Sequence, residues 1–182
     1  MNYHNYYPTD MLNGEGVRAV LFLSGCNHGC KGCYNESTWN PNSGSLFTKE
    51  LEDQIIRDLQ DTRIKRDGLT LSGGDPLHER NLLSVLLLIK RIRTECPGKT
   101  IWLWTGYTLK EIMEDSNLIR QSVARRVDVL VDGKFEQDKY DPSLKFRGSW
   151  NQKLYKMPEG LDITPNDIPT KAKCEKIEIK LL

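Results

Sequence analysis

Short apolar runs alternate with amphipathic stretches along this chain. Val17 to Leu23 is β-branched and apolar, which predicts a buried strand. Thr48 is a good helix N-cap, and after it Leu51, Ile55, Ile56 and Leu59 recur at helical spacing. Gly68 to Leu71 reads as a second strand, running into Ser72-Gly73-Gly74-Asp75-Pro76. A heavily apolar helix is predicted from about Asn81 to Glu95, where Pro97-Gly98 stops it. Ile101 to Trp104 is a third strand and Val127 to Val131 a fourth. Between them Leu109 to Arg126 reads as helical, with a break near Ser116-Asn117. The order β-α-β-α-β-α-β predicts an α/β fold with a parallel sheet and helices on its faces. Strands covered on both sides are apolar throughout, as these are.

Each predicted strand ends in a polar or glycine-rich motif: a cysteine loop, SGGDP, WTGY and DGK. Gly and Asp commonly punctuate strand-to-helix turns, so one such motif says little. In parallel α/β folds, however, the carboxyl ends of the strands share one edge, and sites are built there. Four motifs in series predict one site.

The cysteine loop carries the sharpest chemistry. Cys26, Cys30 and Cys33 are spaced C-x3-C-x2-C, with Gly25, Gly29 and Gly32 giving the backbone the freedom to fold tightly. A closed iron–sulfur site takes four thiolates. Three predict a cluster with one iron open, and an open coordination position is where a metal site does chemistry. A rival reading keeps the same thiols: His28 completes a Cys3His zinc set in a structural or interaction module. SGGDP lacks the lysine of a nucleotide P-loop. Gly73 and Gly74 allow close approach of a ligand, and the Asp75 carboxylate suits an ammonium group, so a zwitterionic, amino-acid-like moiety fits best. Asp132 and Lys134 add one charge of each sign, or else form a surface turn of little energetic weight. His78 reads as a polar residue at a helix start.

Composition narrows the class. The chain has 182 residues, 38% of them hydrophobic and 28% charged, which is ordinary for a globular protein. A net charge of +1 argues against a nucleic-acid binder. The longest apolar stretch, Leu82 to Ile89, is far short of the ~20 residues a membrane span needs. MNYHNYYPTD has neither the basic head nor the apolar run of a targeting signal. The expectation is a cytoplasmic protein. Five cysteines, three clustered, fit a reducing compartment; Cys96 and Cys174 stand apart.

Beyond the motifs singly, Gly14-Glu15-Gly16-Val17-Arg18, Phe22, Gly25, Cys26, Cys30, Cys33 and Asn35 together resemble the signature of the radical S-adenosylmethionine activating enzymes. SGGDP resembles that family's Gly-Gly-Glu/Asp motif, which binds the methionine amino group. MNYHNYYPTD, CYNESTW, DTRIKR, SGGDPLH, CPGK, WTGY, VDVLVDGKF and DPSLKFRGSWNQ extend the match to about Gln152. They resemble the branch serving anaerobic (class III) ribonucleoside-triphosphate reductase. The resemblance implies a [4Fe–4S] cluster on Cys26, Cys30 and Cys33, with S-adenosylmethionine chelating its open iron. It implies reductive cleavage of that cofactor and a glycyl radical on the reductase. A low-potential donor such as a flavodoxin or ferredoxin would supply the electron. Gly32, Cys33, Tyr34, Gly73, Gly74, Asp75, Asp132 and Lys134 are the expected cofactor contacts. No general base is assigned, because the central step needs none. Many members carry an aromatic immediately before the third cysteine; here that position is Gly32, and Tyr34 follows instead. Trp104 stands where related enzymes can place an aspartate, so no cation site is expected there. Activation of another glycyl radical enzyme, such as pyruvate formate-lyase, is the alternative within the family.

The resemblance divides the chain into a radical S-adenosylmethionine domain over 1–152 and a tail over 153–182. Pro158, Pro165 and Pro169 make the tail loop-like, with KIEIKLL as a possible final strand. Four β-α units leave too little chain for a full barrel, which takes ~250 residues. The expectation is therefore an incomplete β/α barrel of radical S-adenosylmethionine type. Its wide lateral opening suits a protein loop better than a small metabolite.

Overall fold

The computed structural model describes residues 1–157 and 175–176. Its strands are β1 (Asn2–Asp10), β2 (Arg18–Leu23), β3 (Ser45–Leu46), β4 (Gly68–Gly73), β5 (Thr100–Trp104), β6 (Val129–Asp132), β7 (Lys153–Lys156) and β8 (Glu175–Lys176). Its α-helices are α1 (Lys49–Gln60), α2 (Leu82–Glu95), α3 (Leu109–Glu114) and α4 (Leu118–Ala124). All the strands form one sheet in the order β3-β1-β2-β4-β5-β6-β7-β8. The centre, β2-β4-β5-β6, is parallel, and the outer strands on both sides pair antiparallel. The protein is thus a mixed α/β fold with a mostly parallel central sheet.

Alternation along the central strands sorts their side chains onto two faces. Ala19, Leu21, Leu23, Leu69, Leu71, Ile101, Leu103 and Leu130 join the main core with Ile55 and Leu59 of α1, Val85 and Ile89 of α2, Ile112 of α3 and Val123 of α4. The opposite face carries Trp102, Val129, Val131 and Leu154, with Trp104 and Phe146 packed against them. Here the structure departs from the expectation of helices on both faces. The parallel strands advance across the sheet in one direction, and right-handed crossovers then lay every helix on the same side.

The helix ends follow the sequence. The Thr48 side chain caps α1 and the Asn117 side chain caps α4. Thr108 and Glu111 form a reciprocal capping box at α3. Separate helices α3 and α4 realise the predicted break. Arg18, fully buried at the amino end of β2, is satisfied by the Thr70 and Thr100 hydroxyls and the Glu15, Leu69 and Thr100 carbonyls.

Three strands went unforeseen: β1, the two-residue β3 that pairs with it, and β7. β1 is rich in Asn, Tyr and His, is only partly buried, and slips register twice against β2, so it shows no clean alternation. β7 lies within the segment assigned to the tail, yet pairs with β6 from Asp132↔Lys153 to Val129↔Lys156. β8 meets KIEIKLL only at its first residue, Lys176, and pairs with β7; the rest of that stretch lies outside the described residues. Pro158, Pro165, Pro169 and Cys174 lie outside the described residues. No helix among the described residues is long and apolar enough to cross a membrane.

Candidate active site

The four strand-end motifs meet on one edge because backbone pairing continues past the strands. Gly74 N–H donates to Leu23 O (2.8 Å) and Asp75 N–H to Gly25 O (2.7 Å), joining SGGDP to the start of the cysteine loop. Thr105 N–H donates to Val131 O (3.0 Å) and Gly133 N–H to Tyr107 O (3.0 Å), joining TGY to DGK. The approach at Gly74 is close: a Cβ there would stand 2.6 Å from Gly25 O.

The cysteine loop leaves β2 and returns through a short 3-10 turn, Glu36–Thr38. That return holds its base, with Gly25 N–H donating to Thr38 O (2.7 Å) and Cys26 N–H to Trp39 O (3.0 Å). Cys33 N–H donates to Cys30 O, closing the far end (3.1 Å). All three thiols are free and half-buried. Burial pushes the Cys26 thiol up to about 11, against the pull of the His28 backbone N–H. Burial raises Cys30 as well, opposed by the Phe135 N–H and the Lys134 charge. The bare Cys26 and Cys30 thiols are therefore protonated at neutral pH, and a metal must displace those protons to bind.

Asp75 is the hub of the edge. It is 1% exposed. One carboxylate oxygen accepts from Leu77 N–H (2.7 Å) and the other from Gly106 N–H (3.0 Å), while the Thr105 hydroxyl lies 2.9 Å from both. His28 Nε2 sits 2.6 Å from Oδ2. The expected role of Asp75, a carboxylate open to a ligand ammonium, differs from this placement: its oxygens are already filled by groups of the protein.

The other expected contacts are spread around the edge. Gly73 and Gly74 are half-buried beside Gly25. The Gln137 side chain lies against Gly32. Tyr34 is 100% exposed. Asp132 is buried, and its carboxylate accepts from Leu109 N–H (2.7 Å) and Lys153 N–H (3.2 Å), so it caps α3 and ties β7 rather than pairing with Lys134. Burial raises its pKa, opposed by those two N–H groups. Lys134 is exposed at the same strand end. His78 is buried behind the loop, where its ring closely approaches Gly25.

Three side chains shape this edge in ways the sequence does not announce: Thr105 and Tyr107 lie in the WTGY motif but without an assigned role, and Arg120 lies in no motif. Thr105 bonds Asp75, Tyr107 packs edge-on to His28 at 4.6 Å, and the Arg120 guanidinium stacks over the Tyr107 ring at 4.6 Å. Their partners are remote in sequence, so only the fold reveals them.

A family described as a 4Fe–4S single cluster domain matches residues 12–155. The anaerobic ribonucleoside-triphosphate reductase-activating protein of Vibrio cholerae is 60% identical over 156 residues, covering 86% of this chain and 98% of the relative. The protein of that name from Escherichia coli strain K12 is 60% identical over 155 residues, covering 85% and 98%. The Enterobacteria phage T4 protein is 42% identical over 161 residues, covering 88% and 97%. The chain belongs to the family of anaerobic ribonucleoside-triphosphate reductase-activating proteins.

Membership in this reductase-activating family brings a 4Fe–4S cluster domain, and the donor set fits one. Three free thiols on one glycine-rich loop provide soft anionic ligands, the kind iron–sulfur clusters take. The family match, not the His28–Asp75 contact, sets the zinc reading aside: Asp75 engages Nε2 and leaves the other ring nitrogen of His28 available. Among the described residues, no three His, Cys, Asp or Glu side chains are arranged around a single ion. A cluster does not require that arrangement, since each thiolate binds its own iron.

Proposed function

We propose that this chain is the activating enzyme that generates a glycyl radical on anaerobic ribonucleoside-triphosphate reductase, by reductive cleavage of S-adenosylmethionine. The observation that carries this reading is the cysteine loop pinned to SGGDP at the carboxyl edge of a parallel sheet, in a chain of this family. Cys26, Cys30 and Cys33 hold the [4Fe–4S] cluster as thiolates. When bound, the reduced cluster supplies the electron that cleaves the sulfonium of S-adenosylmethionine.

The chain's own residues position and enclose. The loop base, fixed through Thr38 and Trp39, sets Cys26 at the end of β2. Contact with the methionine ammonium falls to the backbone of Gly73 and Gly74, because the Asp75 carboxylate is filled. Gly32, Cys33 and Tyr34 border the adenine side, where the exposed Tyr34 ring is free to stack on a base. Lys134 brings a positive charge to the same edge, and Asp132 holds its turn in place.

The unidirectional strand order and the single helix layer support an open β/α barrel of radical S-adenosylmethionine type. Residues 1–152 supply that unit, and β7 extends its sheet. The carboxyl edge of the sheet, where Tyr34 and Lys134 are exposed, gives a glycine-bearing loop of the reductase a route to the site. A flavodoxin or ferredoxin supplies the electron. Oxygen-labile iron and free thiols fit a reducing cytoplasm.

The test is anaerobic reconstitution, reduction and addition of S-adenosylmethionine. The expected result is about four irons per chain and release of methionine with 5′-deoxyadenosine. The Cys30→Ala variant should do neither. A fully loaded, reduced protein that leaves the cofactor intact even with the reductase present would refute the proposal.

A further inference from the structure

We infer that His28 is a positioning residue: by locking onto Asp75 and Gly106 it fixes the cysteine loop, and hence the cluster, relative to the cofactor site beyond β4 and β5. This rests on the cluster and cofactor reading above and deepens it.

His28 lies between two of the three cysteines. Its neighbours Asn27, Gly29, Lys31 and Gly32 are exposed. The His28 side chain is instead 8% exposed and folds inward. Its Nε2 reaches Asp75, whose oxygens also take the Thr105 hydroxyl and the Gly106 and Leu77 N–H groups. At this one carboxylate, the loops after β2, β4 and β5 are tied together.

The packing is equally specific. A Cβ at Gly106 would stand 2.3 Å from the His28 ring carbon Cδ2 and 2.7 Å from Nε2. Glycine at that position leaves the space the imidazole fills, and no positive φ accounts for it. Tyr107 packs edge-on to the ring, and Arg120 backs Tyr107 from α4. Arg120 is held in turn by the Leu77 carbonyl and the Asp115 carboxylate. A ring held by a carboxylate, a bare backbone and an aromatic face has one position. The covalent chain passes that position to Cys26 and Cys30, two residues away on either side.

The functional consequence is geometric. The cysteines determine whether the cluster binds, and His28 determines where it stands. Misplacement of a reacting group by about 1 Å can cost on the order of 100-fold. Outer partners of metal ligands typically carry about 10–100-fold in affinity or activity.

The test uses the full chain, reconstituted anaerobically, with four variants: H28A, H28Q, G106A and the double variant H28A/G106A. Iron content, the change that S-adenosylmethionine induces in the electron paramagnetic resonance spectrum of the reduced cluster, and cofactor Kd are measured together. H28A and G106A should each keep about four irons. Each should weaken cofactor binding by about 10–100-fold and blunt the spectral change. The double variant should bind no worse than H28A, because the alanine methyl enters the space the imidazole leaves. H28Q, whose amide still donates to Asp75, should recover part of the loss. Wild-type cofactor affinity in H28A, or losses in H28A and G106A that multiply in the double variant, would overturn the inference. So would loss of iron from folded H28Q, which would make His28 a ligand. The same cycle in iron-free protein, read by thermal stability, tests the contact alone: G106A should destabilise the wild-type background but not the H28A background. Failure of wild-type protein to bind cluster or cofactor would refute the cofactor reading while leaving that contact test standing.

Discussion

Asp75 receives donors from Leu77, Thr105, Gly106 and His28 inside the protein. Replacing it with asparagine turns one acceptor oxygen into a donor facing donors. Asp75→Asn should destabilise the iron-free protein by roughly 2–4 kcal/mol in denaturant titration. A change under about 0.5 kcal/mol, the range of an uninvolved surface substitution, would mean the hub carries little. The sequence makes Asp75 conspicuous through SGGDP but hides its partners within the protein. A carboxylate in a glycine-rich turn looks available, and its partners lie 47 residues upstream at His28 and 30 downstream at Thr105. His28 invites the rival zinc reading for the same reason: three neighbouring thiols make a histidine look like a ligand, and only the fold shows it facing Asp75. The cysteines themselves are legible, since their chemistry depends on local spacing. Cys26→Ala, Cys30→Ala and Cys33→Ala should each abolish the visible absorbance of reconstituted protein. Cys96→Ala should leave it intact, because Cys96 is buried at the end of α2 within the main core.

At the scale of elements, α3 shows how much a short helix depends on its end. It has six residues, too few to be stable alone, and its first turn is closed by the Thr108–Glu111 box. Thr108→Ala should cost about 1 kcal/mol. Hydrogen bonds from the Thr108 backbone and hydroxyl hold the Glu111 carboxyl below its ordinary value. A carboxyl lowered by folding adds stability that is full above its unfolded pKa and is lost as pH falls through the folded one. Wild-type stability should therefore drop below about pH 4.5 more steeply than that of Glu111→Gln, as followed by thermal melts across that range. Similar slopes would show the box to be unformed in solution. Such caps are readable in sequence because they are local, as is the break between α3 and α4. β1 and β7 are not readable in this way. Their side chains follow the demands of a half-exposed edge, and pairing with β2 and β6, rather than internal pattern, makes them strands.

For the molecule as a whole, the sheet separates packing from function. One face carries the helices and the main core, and the other carries a smaller aromatic cluster of Trp102, Trp104 and Phe146. Trp104 Nε1 donates to the Phe146 carbonyl at 2.9 Å, and Phe146 is the one described non-glycine residue at positive φ, 60°. The segment after β6 is thus tied to the helix-free face beside the site. The parallel order and the shared edge were legible, since right-handed crossovers and strand-end motifs obey general rules. The confinement of the helices to one side was not, because apolar strands look alike whether a helix or an aromatic cluster covers them. The most direct test of the whole account mixes the reduced, cluster-loaded protein with S-adenosylmethionine and anaerobic ribonucleoside-triphosphate reductase under strict exclusion of oxygen. Electron paramagnetic resonance should then show a glycyl radical on the reductase that requires the cofactor and is absent with Cys26→Ala, Cys30→Ala or Cys33→Ala. No radical from fully loaded wild-type protein, or an undiminished one from the cysteine variants, would contradict it.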